Sequence, residues 1–174
     1  MIIDNHQTIK NNKDFLVKCY AGFIYNKITQ SDGELYSIGF YIKKEQQVQE
    51  WIKSEPSSSI ARLRNKNQCV YCDIDLNVKY GVGDHIVGRE LDSALWVLPC
   101  CNICNSSKGK KDLIVWWCKM KNRNILDLKK DVFAIYVRAK YKLLEKQGKL
   151  NDRPIQEHID ILKQFKGINL EMDE

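Results

Sequence analysis

The sequence predicts an α+β fold, with a small cysteine-framed core of short strands and one helix embedded in mainly helical flanking segments. Three observations point there. Two Cys-x-x-Cys pairs, Cys69–Cys72 and Cys101–Cys104, are separated by 28 intervening residues. The stretch between them is broken by Gly, Asn and Asp and holds only short apolar runs. Outside it, apolar residues recur at helical spacing over long spans. The chain has 174 residues, 44% of them apolar, which is enough to bury a core and argues against wholesale disorder.

The elements follow in order. Phe15, Leu16, Cys19, Tyr20, Phe23, Ile24 and Ile28 share a helical face over residues 12–29, and Asn12 is placed to cap its start. SDGE at 31–34 is a turn, and ELYSIGFYIKK at 34–44 reads equally as strand or short helix. EQQVQEWIK reads as helix. SEPSSS at 54–59 reads as a linker ending in a helix cap, with Ser59 or a neighbour at the N-cap. IARLRNKNQ is then a short basic helix running into Cys69.

Val82 to Val87 and Leu95 to Leu98 are short strands. A helix starts near Asn102 and continues through DLIVWWCKM. Leu126 to Leu144 forms a long amphipathic helix, with Leu128, Val132, Ile135, Tyr136, Ala139 and Leu143 on one side, and Gly148 ends it. Pro154 opens a last helix that Gly167 stops. Three segments result: 1–56, mostly helical; 57–123, the cysteine-framed core; and 124–174, helical, for bracing or dimerisation.

The net charge of +6 is unevenly spread. Residues 57–123 carry eleven basic and six acidic groups, net +5, and residues 124–156 carry eight against four, net +4. Positive charge around the cysteines suits a polyanionic partner such as nucleic acid. No apolar run reaches the ~18 residues of a membrane span, and the N-terminus lacks a signal-peptide layout, so a cytoplasmic chain is expected. Seven cysteines in a reducing compartment point to metal rather than disulfides. Cys19 and Cys118 stand alone in apolar stretches and read as buried small residues. Trp51, Trp116 and Trp117 read as core. His6 and His158 have no motif around them and read as surface residues.

Four thiolates from two tight turns match the tetrahedral preference of Zn²⁺, with an iron–sulfur cluster as the alternative. Cys101 rather than Cys100 supplies the two-residue spacing. A four-sulfur zinc has no open position and is structural, so chemistry has to come from residues between and beside the knuckles. There, Asp84 and His85 are neighbours in a strand-like stretch, so they face opposite sides. Asn105 follows the second knuckle at a helix start. Oxygen donors from Asp84 and Asn105 suit Mg²⁺, which takes few protein oxygens and completes its shell with water and phosphate.

The run CVYC…GDHIVG…LPCCNICNSSKGKKD resembles the HNH endonuclease family, with its ββα-metal core; the match covers roughly residues 60–120. The resemblance implies a DNA endonuclease in which His85 is the general base. Asp84 and Asn105 would hold one catalytic Mg²⁺ or Mn²⁺, and Cys69, Cys72, Cys101 and Cys104 the structural zinc. Lys108, Lys110, Lys111 and Arg89 would contact the DNA backbone. The family's central Asn is absent: Trp96 and Val97 stand where it is expected, leaving its bracing role to a backbone carbonyl or Ser93. A restriction-type enzyme acting as a homodimer is one expectation. A phage or mobile-element nuclease of low specificity and a non-catalytic zinc-ribbon module that only binds nucleic acid are the others.

Overall fold

The computed structural model describes residues 9–32, 46–76 and 81–165. α1 (Asn12–Asp32) starts where the Asn11 side-chain oxygen accepts from the Asp14 N–H at 2.9 Å. The cap is therefore Asn11 and not Asn12. The Asn12 amide instead donates to the Lys149 carbonyl at 2.9 Å, and the backbone N–H groups of Asn12 and Lys13 donate to the carbonyls of Asp152 and Leu150. Phe15, Leu16, Cys19, Tyr20 and Phe23 are buried, as their spacing predicts. The helix runs through Asp32, so half of the expected SDGE turn is helical. The remainder of that turn and the 34–44 stretch lie outside the described residues.

Residues 46–51 form α2, matching the helical reading of EQQVQEWIK. α3 (Ser57–Asn65) follows Pro56, which occupies the cap position without a side-chain bond. Ser59 is not the cap. It is buried within the first turn, where its hydroxyl accepts from Arg62 at 3.3 Å.

β1 (Gly81–His85) and β2 (Val97–Cys101) pair antiparallel, with Asp84 opposite Leu98 and His85 opposite Val97. Leu95 belongs to a 3₁₀ turn (Ala94–Trp96) rather than to the second strand. Ser93 caps that turn by accepting from the Leu95 N–H. The strands approach closely at Gly83, where a Cβ would sit 2.5 Å from Val97 Cγ1. α4 (Asn102–Lys108) packs on both strands and stops at Gly109, whose φ of +52° leaves the helical region.

The expected single helix from Asn102 through Met120 is thus two. α5 (Leu113–Val115) starts anew under an Asp112 cap and runs into a wide π-type turn (Trp116–Met120). α6 (Lys130–Lys146) begins later than the periodicity predicts, because residues 125–127 make a separate 3₁₀ turn and Leu128 and Lys129 are extended. Gly148 closes α6 as expected. α7 (Gln156–Leu162) begins two residues after Pro154. Gly167 lies outside the described residues.

One apolar core draws on α1, α3, the strands, α5, α6 and α7, with α6 at its centre. Cys19, Cys118, Trp116 and Trp117 are buried in it. Trp51 stacks on Tyr20 with centroids 4.3 Å apart and lies under the Arg138 guanidinium. His158 corrects the sequence reading: it is buried, stacked on Phe15 at 4.9 Å, with Nε2 3.3 Å from Asp112 Oδ1. The helical face of α7 turns it inward, which no local motif signals. His6 lies outside the described residues. No helix among the described residues is long and apolar enough to cross a membrane.

Candidate metal centre and adjoining cleft

The first knuckle is a tight turn. The Asp73 N–H donates to the Cys69 carbonyl at 3.0 Å, the Cys69 N–H to the Ile74 carbonyl at 2.8 Å, and Asp73 takes φ +63°. Val70 ties this turn to β2 through the Pro99 carbonyl at 3.1 Å. Lys129, just ahead of α6, reaches the Cys69 carbonyl at 3.4 Å and pairs with Asp73. In the second knuckle Cys101 caps α4, its sulfur accepting from the Cys104 N–H at 3.4 Å.

The Sγ atoms of Cys69, Cys72, Cys101 and Cys104 all lie within 4.8 Å of one another. Cys72 Sγ and Cys101 Sγ are 3.8 Å apart. A tetrahedron with Zn–S bonds of about 2.3 Å has edges of about 3.8 Å, so the spacing suits zinc. The set can hold a metal ion and is compatible with structural zinc. Cys100 is not part of it. Its side chain is buried, and burial together with the Asp84 charge pushes its thiol up to about 12.

Beside the knuckles lies a cleft of about 770 Å³ lined by Asp84, His85, Arg89, Asn105 and Lys110, with Gly83, Val87, Gly88, Glu90, Ser106 and Gly109. The strand alternation separates the first two side chains in burial. Asp84 is 2% exposed, whereas His85 is half-buried. Asn105 is half-buried on α4. Arg89 and Lys110 are exposed at the rim.

Both Asp84 oxygens have protein partners. Oδ1 accepts from Lys108 Nζ at 2.9 Å and Oδ2 from the Tyr71 hydroxyl at 2.5 Å. Lys108 is 1% exposed, so the expectation that it contacts the DNA backbone is corrected: its ammonium is spent inside, on Asp84 and on the His85 carbonyl at 3.5 Å. Its position four residues after buried Cys104 puts both on one helical face, the signal that could have placed it inward. Tyr71 stays protonated, its hydroxyl pKa raised by burial first, then by the Asp84 charge and their hydrogen bond. Trp116 packs edge-on against the Tyr71 ring and donates to Ser107 on α4 at 3.1 Å.

Lys111 does not line the cleft; it donates to the Ser107 carbonyl at 3.0 Å, closing the end of α4. His85 Nδ1 is buried and has no hydrogen-bond partner among the described residues. Among the described residues neither a backbone carbonyl nor Ser93 hydrogen-bonds this nitrogen.

Sequence reasoning missed Tyr71 as a partner of Asp84, because an aromatic inside a Cys-x-x-Cys turn carries no motif. Glu90 was also missed; it lines the cleft and accepts from Gln147 at 2.8 Å. Comparison with protein-family models, with curated proteins and with solved structures gives no match.

Proposed function

We propose that the chain is a metal-dependent DNA endonuclease of the HNH type, hydrolysing phosphodiester bonds from a zinc-stapled ββα-metal core. The observation that carries this reading is the meeting of Asp84, His85 and Asn105 in one cleft next to the four-sulfur cluster. His85 is the base: a neutral imidazole with an ordinary pKa of ~6.5 can accept the proton of an attacking water near pH 7. Asp84 and Asn105 offer the oxygen donors for Mg²⁺ or Mn²⁺, which when bound would stabilise charge on the scissile phosphate and the leaving oxygen. Arg89 and Lys110, exposed on the rim, bind flanking phosphates and align the strand. The helical regions on either side leave room for target reading and for pairing of two copies. A restriction-type enzyme is therefore favoured over a low-specificity mobile-element nuclease.

The competing reading is a non-catalytic zinc module that binds nucleic acid. It is favoured by the Lys108–Asp84 ion pair, which neutralises the carboxylate, and by the unbraced His85. Plasmid cleavage in Mg²⁺ or Mn²⁺ separates the two. Wild type nicks DNA and His85→Ala loses 10²–10⁴-fold of the rate, the usual contribution of a general base. Equal nicking by both removes His85 from the mechanism. DNA binding with steep salt dependence and no cleavage by either protein gives the module reading.

A further inference from the structure

Asp84 is held by one residue from each cysteine turn. Tyr71 sits between Cys69 and Cys72, and Lys108 lies one helical turn beyond Cys104 on α4. Their polar ends meet Asp84 at 2.5 Å and 2.9 Å, and all three side chains are buried. The Tyr71 ring also packs edge-on against Trp116, with centroids 5.2 Å apart. The Trp116 indole is itself fixed to Ser107 on α4. Tyr71 rides on the first cysteine turn and Lys108 on the helix that the second turn opens, so a change in the spacing of the two turns strains both contacts to the carboxylate.

We infer that Tyr71 and Lys108 are positioning residues that couple the four-sulfur metal site to the cleft: with metal at the cysteines Asp84 is locked between them, and without it the carboxylate loses its place beside His85 and Asn105. The role of Asp84 toward a cleft cation rests on the nuclease reading; the coupling does not. Coupling of two sites is reciprocal, so a change at Asp84 is felt as a change in metal affinity at the cysteines. That gives a readout independent of activity. Co²⁺ in a four-thiolate site shows thiolate-to-metal absorption, and its affinity can be titrated in the full chain.

Tyr71→Phe removes one hydrogen bond to a charged acceptor and is expected to lower Co²⁺ affinity about tenfold. Tyr136→Phe is the control: it removes a comparable bond, from a buried tyrosine to Asp112 at 2.9 Å, away from the cysteine turns. It is expected to leave Co²⁺ affinity within twofold. A second arm replaces the buried pair as a unit, Asp84→Leu with Lys108→Met. In that background Tyr71→Phe costs less than twofold, because the acceptor is gone. The inference is overturned if Tyr71→Phe affects Co²⁺ no more than Tyr136→Phe does, or affects it equally in both backgrounds. The comparison of the two tyrosines stands even if the paired variant does not fold. Mn²⁺ binding in the same samples, read by electron paramagnetic resonance, keeps the two readings apart. Wild type that binds no Mn²⁺ yet preserves the Tyr71–Tyr136 difference supports the coupling and removes the cleft cation.

Discussion

Replacing Asp112 by Ala tests a polar anchor that lies outside the cleft. Its carboxylate accepts from the Ile114 N–H at 3.2 Å as the cap of α5, from the Tyr136 hydroxyl at 2.9 Å, and from Lys140 Nζ at 2.9 Å. His158 Nε2 stands 3.3 Å away. Loss of the cap costs about 1 kcal/mol. A hydrogen bond to a charged acceptor contributes about 1.5–3 kcal/mol, and the bonds here share one acceptor, so they do not sum. Tyr136 and His158 are buried and would be left without their partner.

A total of about 3–5 kcal/mol is expected, the range for uncovering a buried ionic partner. At 2–4 °C per kcal/mol for a chain of this size, Tm falls by roughly 6–20 °C, measured by tryptophan fluorescence. The pH dependence has a definite sign. Burial alone would raise the Asp112 pKa, but the nearby His158 imidazole and the Lys140 ammonium outweigh it and hold the carboxyl well below the usual range. A depressed folded-state pKa gives stability that is present above the unfolded value of about 3.9 and is lost as pH falls below it. The gap between wild type and Asp112→Ala should therefore be full at neutral pH and shrink below about pH 4. A loss under about 1 kcal/mol, or a gap that widens in acid, would refute the account.

Gly83→Ala drives a methyl into Val97 Cγ1 and should cost about 1–3 kcal/mol in thermal unfolding, most of it recovered by adding Val97→Ala. Metal analysis should find one zinc per chain; Cys69→Ser or a strong chelator should remove it and loosen the cysteine turns, while the helical core keeps a cooperative unfolding transition by circular dichroism. Lys110→Ala and Arg89→Ala should each reduce the salt slope of DNA binding by about 1, whereas Lys108→Met, whose ammonium is buried, should leave the slope unchanged.

The helical reading of α1 and α6 was legible because apolar residues recur at helical spacing; that α6 is buried on all sides from Val132 to Ala139, rather than along one face, was not. Cys69, Cys72, Cys101 and Cys104 were legible because metal-binding turns fix their spacing. The break between α4 and α5 was not. Gly109 sits amid residues that all tolerate a helix, and only its positive φ, together with the Asp112 cap, ends one helix and starts the next. Asp84, His85, Arg89, Asn105 and Lys110 line one cleft because β1 and α4 pack side by side, which their order along the chain alone does not fix. The fate of Lys108 depended on tertiary geometry: a lysine after a knuckle reads as a surface charge until a buried carboxylate is found within its reach. His158 failed for the same reason, since its burial depends on Phe15 and Asp112, far away in sequence.

The clasp between the first turn of α1 and the 149–152 loop joins residues 137 positions apart. Closing so long a span costs chain entropy before any local contact can offset it. On a ribosome α1 would wait, its first turn unclasped, until residues 149–152 have emerged. By then the cysteine turns, which need only the middle third of the chain, have had time to find each other. The nascent chain can thus bring its four sulfurs together before the clasp between α1 and the 149–152 loop closes.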